Sequence, residues 1–82
     1  MQTNTITPAA SNAPLSDYIF NQQNCEFLVL QAPSTNGGTI YWGYGSALHQ
    51  LAATDIVTVP GTNLNTVKVR GNGTDTLIVS LT

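Results

Sequence analysis

Cys25 and His49 are the one cysteine and the one histidine of the chain, and they are the closest approach to a nucleophile with a base. A thiol reacts as its thiolate and needs a basic side chain beside it. Cys25 lies in an apolar segment, where a thiol acts as a small buried hydrophobe, whereas His49 lies in a polar stretch typical of a surface. We therefore expect neither residue to be catalytic.

The four acidic residues are scattered singly along the chain, at Asp17, Glu26, Asp55 and Asp75. None forms a paired-carboxylate motif, and one Cys with one His cannot supply the ligands of a structural zinc site. Asp75 follows an Asn-Gly-Thr turn sequence, so its carboxylate is expected to accept hydrogen bonds from turn backbone rather than to bind calcium. The sequence thus predicts neither an enzyme nor a cofactor.

Tyr41, Trp42 and Tyr44 form a dense aromatic group that could stack on sugar rings. Aromatic residues are only 7% of the chain, however, and a small β core needs such rings for its own burial. We therefore place Trp42, together with Ile40, in the core. A carbohydrate-binding module that uses Tyr41 and Tyr44 remains an alternative.

Lys68 and Arg70 are the only cations, and the formal net charge is −2. A nucleic acid backbone is held by several Lys and Arg contacts, so this composition predicts no nucleic-acid partner. The alternation of Val67 and Val69 with the two cations predicts a half-exposed strand. We interpret the cations as the solvated face of an edge strand, where they discourage unwanted strand pairing.

We expect the other strands of the chain to pack against residues 24–45 and to cover their apolar face. These residues predict two strands, 25–32 and 39–44, joined as a hairpin by the Pro-Ser-Thr-Asn-Gly-Gly turn at 33–38. In the middle of the first strand both faces are apolar. This pattern is typical of a strand in the centre of a sandwich or at an interface.

Further strands are predicted over 54–60, 67–70 and 74–81, with a turn at 60–63 and a hairpin closed by 71–73. Segments 15–20 and 46–53 each fit a short strand or a single turn, and 21–24 reads as a loop. Strands at this spacing, separated by Gly, Pro and Asn, predict an all-β fold. We expect a small β-sandwich or jelly-roll-like barrel of about six to eight short antiparallel strands.

Residues 1–14 are predicted to form an extended N-terminal arm attached to a β-sandwich domain of residues 15–82. Pro8 and Pro14 disfavour a helix, and Ile6 is the only branched aliphatic residue of the segment. An arm with so little to bury either contacts a partner or folds back along its own domain. Of these two interpretations, the sequence favours partner contact.

The small size and low charge of the chain also point to a partner. A core of fewer than roughly 80 residues seldom supplies more than about 3–5 kcal/mol of net stability without a staple. Charged residues are 7% of the 82, against about 25% in ordinary soluble domains. Such a surface suits packing against other protein, either copies of the chain, as a trimer or dimer, or a larger assembly.

Residues 27–30 form the longest apolar run, which is far short of the ~20 residues of a membrane-spanning helix. We therefore expect no membrane partner. The N-terminus lacks the basic start and apolar block of a signal peptide, and a single cysteine fits synthesis in a reducing cytoplasm.

Two runs of the sequence, VLQAPSTNGGTIYWGYGS at 29–46 and DIVTVPGTNLNTVKVRGNGTDTLIVSL at 55–81, resemble a group of small virion proteins of tailed phages. The resemblance covers roughly residues 25–82. It implies a compact β-sandwich subunit on the outer surface of the virion, made in the host cytoplasm. The function it implies is that of a capsid cement or decoration protein, which binds the major capsid protein and stabilises the shell across capsomer seams.

A neck, tail or fibre-base adaptor is the alternative position in the virion. The sequence departs from the group in the aromatic stretch 41–44 and in the segment 46–53. We expect partner contacts from the arm, from the segment that follows it and from the aromatic stretch. The predicted partner-binding residues are Thr3, Ile6, Pro8, Leu15, Tyr18, Tyr41, Tyr44 and His49.

Overall fold

A computed structural model describes residues 2–20, 24–44 and 48–82 and shows a small sandwich of two antiparallel four-stranded sheets. The strands are β1 (Gln2–Ile6), β2 (Ala13–Pro14), β3 (Asn24–Gln31), β4 (Ile40–Gly43), β5 (His49–Leu51), β6 (Ile56–Asn63), β7 (Lys68–Arg70) and β8 (Leu77–Leu81). Sheet I has the order β1-β8-β3-β6, and sheet II has the order β2-β7-β4-β5. This is the strand order of an eight-stranded jelly roll, so the predicted all-β sandwich is confirmed.

Alternation along the strands builds the core between the sheets. In β8, Leu77, Val79 and Leu81 are buried, whereas Ile78 and Ser80 between them are only half-buried. Successive side chains of a strand point to opposite faces, so one face of each sheet supplies the core. The fully buried leucines and isoleucine come from both sheets and from the connections: Leu15, Leu28, Leu30, Ile40, Leu64, Leu77 and Leu81. Trp42 packs against this core, as predicted.

Both hairpins predicted from turn sequences are wrong. Strand β3 lies in sheet I and β4 in sheet II, so residues 33–38 cross between the sheets instead of joining neighbours. Residues 71–73 likewise carry the chain from β7 in sheet II to β8 in sheet I. Glycine and asparagine are frequent in hairpin turns and in longer connections alike, so composition does not distinguish the two.

Other local expectations also change. Residues 60–63, predicted as a turn, belong to β6, and β7 is no edge strand because it lies between β2 and β4. The stretch after Pro14 is one 3-10 turn, Leu15–Asp17, and residues 48–53 contain strand β5. Of the loop predicted at 21–24, Asn24 belongs to β3 and residues 21–23 lie outside the described residues, as does the start of the segment at 46–47.

The N-terminal segment belongs to the sandwich. Strand β1 pairs with β8 over its whole length, from Gln2 opposite Leu81 to Ile6 opposite Leu77, and β2 pairs with β7. Ile6 and Pro8 are buried. The boundary placed between residues 14 and 15 therefore does not separate an arm from a body. Residues 2–14 fold back because β8 offers them an open edge.

Asp75 connects two of the crossings between sheets. Its carboxylate accepts hydrogen bonds from the backbone N–H of Gly37 (3.0 Å), the N–H of Gly38 (2.6 Å) and the side-chain amide of Asn72 (3.0 Å). A Cβ at Gly38 would lie 2.9 Å from an Asp75 carboxylate oxygen, so this contact requires glycine. The N–H of Gly37 lowers the pKa of Asp75 most; Gly38 and Asn72 lower it further, against a partly opposing effect of burial.

Two more sets of bonds close the same end of the sandwich. Asn36 and Thr76 exchange a reciprocal pair: the Asn36 amide donates to the Thr76 carbonyl at 2.8 Å, and the Thr76 N–H donates to the Asn36 side chain at 3.0 Å. The N–H of Gly71 donates to the carbonyl of Ala9 at 2.8 Å. Three crossings, β1–β2, β3–β4 and β7–β8, are thus joined to one another.

Replacing Ile6 tests whether the N-terminal segment is structural. We expect Ile6→Ala to lower the free energy of unfolding by about 2–5 kcal/mol, because it leaves a cavity under β1. Thr7→Ala, an exposed neighbour, should change it by less than about 0.5 kcal/mol. Urea unfolding followed by circular dichroism measures both. Equal stability of the two variants would mean that β1 is not docked on β8.

Replacing Asp75 tests the connection between the crossings. The pKa of Asp75 is below its ordinary value of 3.8, so its contribution to stability is present above pH 3.8 and is lost as the pH falls through the folded-state value. We expect Asp75→Asn to lower the thermal midpoint at neutral pH, with a difference from wild type that narrows in acid. Asp17→Asn, the same change at an exposed site, is the control. A pH-independent difference would contradict this role for the carboxylate.

Candidate interaction surface

The outer face of sheet I is a broad surface without an ionisable side chain. It consists of the outward-pointing residues of the four strands, called here the sheet I face: Thr3, Thr5, Phe27, Val29, Gln31, Ile56, Thr58, Pro60, Ile78 and Ser80. Each of them alternates with residues that face the core. Every polar group on this face is a hydroxyl or an amide, which costs less to desolvate than an ion.

The strand registers fix how these side chains are arranged. One row across the sheet runs Thr5, Ile78, Gln31, Ile56, and the next runs Thr3, Ser80, Val29, Thr58. Phe27 lies opposite Pro60 in a third row. Aliphatic, aromatic and hydroxyl groups therefore mix over all four strands.

Two large apolar side chains of the sheet I face are exposed to solvent. Phe27 is 52% exposed and Ile56 is 61% exposed. The other large exposed apolar side chains, Phe20 and Tyr44, lie outside sheet I. The two lie two rows apart on neighbouring strands, with the row of Val29 and Thr58 between them, so each end of this face exposes one large apolar group. Exposed apolar groups on such a surface mark sites of protein contact.

The alternation of β3 is regular from Phe27 to Gln31 and is broken only at the start of the strand. Cys25 and Leu28 are buried, whereas Glu26 and Phe27 between them are both exposed. Glu26 and Gly61 fall between the register pairs Cys25–Thr62 and Phe27–Pro60, and the φ of Gly61 is +49°. Phe27 is in phase with Val29 and Gln31, whereas Leu28 and Leu30 face the core.

The outer side of sheet II has the opposite character. It carries both cations of the chain, Lys68 and Arg70, on β7. The Arg70 guanidinium lies 4.5 Å from the centre of the Tyr41 ring, in a cation–π contact. Both cations of the chain therefore lie on the outer side of sheet II, and the one charged residue within the strands of sheet I is Glu26.

A second aromatic group lies at the end of β4 and β5. The rings of Trp42 and Tyr44 meet edge to face with centroids 6.1 Å apart, and the Trp42 and His49 rings are 5.3 Å apart. Tyr41 and Trp42 are neighbours on one strand and point to opposite faces. Tyr41 and Tyr44 therefore belong to separate contacts and do not form one stacking platform.

The predicted partner-binding residues divide into three groups. Thr3 is exposed on the sheet I face, and Tyr44 and His49 are exposed beside Trp42. Tyr41 and Tyr18 are half-buried; the Tyr18 hydroxyl accepts a hydrogen bond from the N–H of Ala9 at 3.0 Å.

The third group corrects the prediction. Ile6, Pro8 and Leu15 are buried in the core of their own domain and offer no side-chain surface to a partner. They were assigned to partner contact because a short coreless segment has nothing of its own to bury. The structure supplies that burial from β7, β8 and the residues around them.

Sequence reasoning missed Phe27 and Ile56. A signal for Phe27 was present, because both faces of β3 are apolar and a strand at an interface has that pattern. Ile56 had no such signal, since it stands in a β-branched run whose inward and outward positions look alike. Its place beside Gln31 follows only from the β3–β6 register.

Over the described ranges, no group of three or more metal-ligating side chains occurs and no cavity is found. Cys25 is buried in sheet I, and His49 is exposed in sheet II. The same ranges hold no helix long and apolar enough to span a membrane. Comparison of the chain with protein-family models, curated proteins and solved structures finds no match.

Proposed function

We propose that the protein is a structural protein of a tailed-phage virion, a cement or decoration protein whose sheet I face packs on the major capsid protein. The observation that carries the proposal is this face, which spans four strands, holds no ionisable side chain and exposes Phe27 and Ile56. The protein acts on the outer surface of the capsid after synthesis in the host cytoplasm, and its role is non-enzymatic.

The physical basis of the function is burial. Apolar surface removed from water stabilises an assembly by about 25 cal/mol per Å². A subunit that covers a seam between capsomers buries apolar surface on the capsid proteins at both sides of the seam. The same stabilisation is repeated at every copy of the subunit. Hydroxyl and amide groups around Phe27 and Ile56 can then meet the backbone and side chains of the shell without the desolvation cost of ions.

The resemblance to small phage virion proteins supports this assignment, and the fold agrees with it. Eight-stranded jelly rolls occur in viral capsid proteins and also in lectins, so the fold alone does not decide between them. The rings of the sugar-binding alternative lie in separate contacts, Tyr41 with Arg70 and Tyr44 with Trp42, which favours the virion proposal over it. The N-terminal segment pairs with strands of its own sandwich and so does not extend toward a partner. The proposal therefore places attachment on the sheet I face.

A neck, tail or fibre-base adaptor would use the same face on a different virion protein. Copy number distinguishes the two positions. Hundreds of copies on the icosahedral lattice are expected for a cement protein, and a single small ring is expected for an adaptor. Cryo-electron microscopy of the particle with the protein bound gives this number directly.

Phe27→Asp tests the sheet I face. We expect it to weaken binding to protein-depleted particles of the parent phage by about 10- to 100-fold, because about 1.5–3 kcal/mol of apolar burial is lost and a charge is left in the contact. Co-sedimentation of purified protein with the particles, followed by quantitative gel analysis, measures the occupancy.

Gln50→Asp is the matched control, since it adds the same charge at an exposed strand position of sheet II. It should bind as wild type does. Equal binding of the Phe27 and Gln50 variants, both folded by circular dichroism, would exclude the sheet I face as the attachment surface.

A further inference from the structure

We propose that β1 is a self-pairing edge, through which two copies of this chain join antiparallel about a two-fold axis and extend sheet I into one eight-stranded sheet. The inference concerns an edge of the sheet rather than its face, and it does not depend on the proposed capsid function. It gives the surface through which a second copy binds, and therefore a dimer rather than a trimer.

Edge strands present unpaired backbone N–H and C=O groups, and proteins protect them by short length, proline or charge. Three of the four edge strands that the structure describes are protected in this way. β2 has two residues including Pro14, β5 has three residues, and β6 carries Pro60 next to Gly61 with its positive φ. A proline cannot donate to a new ladder, so β6 and β2 are poor templates.

Strand β1 has none of these protections. It is five residues long, Gln-Thr-Asn-Thr-Ile, and contains no proline, glycine or charged side chain. It pairs with β8 on one side only, because it stands at the end of the sheet I order. Its outward side chains, Thr3 and Thr5, are exposed. The backbone of β1 can therefore accept a further strand without any rearrangement of its own domain.

A second copy of β1 is a suitable partner for geometric reasons. Antiparallel pairing of identical strands about a two-fold axis is self-complementary, with each contact made twice. When the axis passes at Asn4, all five residues of each strand pair, and Thr3 of one copy lies opposite Thr5 of the other. Threonine pairs across antiparallel strands are favourable, and the absence of charge means that no like charges meet.

Asn4 supplies an independent observation at the centre of this pairing. Its side-chain Nδ2 is the one buried side-chain polar atom, within the described ranges, that lacks a hydrogen-bond partner. An unsatisfied buried donor costs free energy. In the dimer the two Asn4 residues lie opposite each other, at a Cβ separation of about 5 Å. After rotation about χ2, each amide can donate to the side-chain oxygen of its counterpart.

Charge placed on β1 tests both the edge and its register. In Thr3→Lys/Thr5→Lys each cross-strand pair becomes Lys opposite Lys, so we expect the dimer dissociation constant to rise by about tenfold or more. In Thr3→Lys/Thr5→Glu each pair becomes Lys opposite Glu, and the dimer should persist near wild-type affinity. Sedimentation velocity over a series of protein concentrations measures both constants, and circular dichroism checks the fold.

Thr3→Glu/Thr5→Glu repeats the like-charge test with the opposite sign, so the test does not depend on the folding of one variant. Mixed with the double-lysine variant, it should restore a dimer of one copy of each. A wild-type protein that stays monomeric at every concentration, or that forms trimers, overturns the proposal. So does a double-lysine variant that dimerises as well as wild type, or a Lys/Glu variant that dimerises as poorly as the double-lysine variant.

Discussion

The carboxylate of Asp75 is the interaction on which the arrangement of the sheets depends. It holds the crossing between β3 and β4 against the crossing between β7 and β8, through the backbone N–H groups of Gly37 and Gly38. Because the chain changes sheet at these crossings, strands that follow one another in sequence end in different layers. Each sheet is then completed by strands from distant parts of the chain, such as β1 beside β8. A domain of 82 residues obtains a closed core in this way.

The sequence predicts where strands lie better than it predicts which strands pair. Leu77, Val79 and Leu81 alternate so regularly that β8 is evident from its pattern, and Ile40 and Trp42 mark the inner face of β4. The predicted pairing of β3 with β4 is wrong because the connection at 33–38 has the residue types of a hairpin turn. In the fold this connection crosses between the sheets and is hydrogen-bonded to Asp75, far along the chain. The composition of residues 33–38 alone gives no information about that contact.

The same limit explains the N-terminal segment and the surface. From the sequence, Ile6 is the single branched aliphatic residue of a free arm. It is buried because β1 pairs with the edge of β8 that β3 does not occupy. The two-faced apolar character of β3 predicts a strand in the centre of a sandwich or at an interface; β3 lies between β8 and β6, and Phe27 is exposed. The neighbours of Phe27 on the surface are set by the β3–β6 register, and Pro60, which lies opposite Phe27, is in the part of β6 that is predicted as a turn.

The placement of Lys68 and Arg70 on the outer side of sheet II has a consequence for the solution behaviour of any complex made through sheet I. Ions screen attractions between charges, and a contact formed by threonine, phenylalanine and isoleucine contains none to screen. Its affinity should therefore hold as sodium chloride rises and increase in sulfate, which is excluded from apolar surface. A subunit attached in this way should stay bound at high sodium chloride concentration. It should be released instead by agents that solvate apolar side chains.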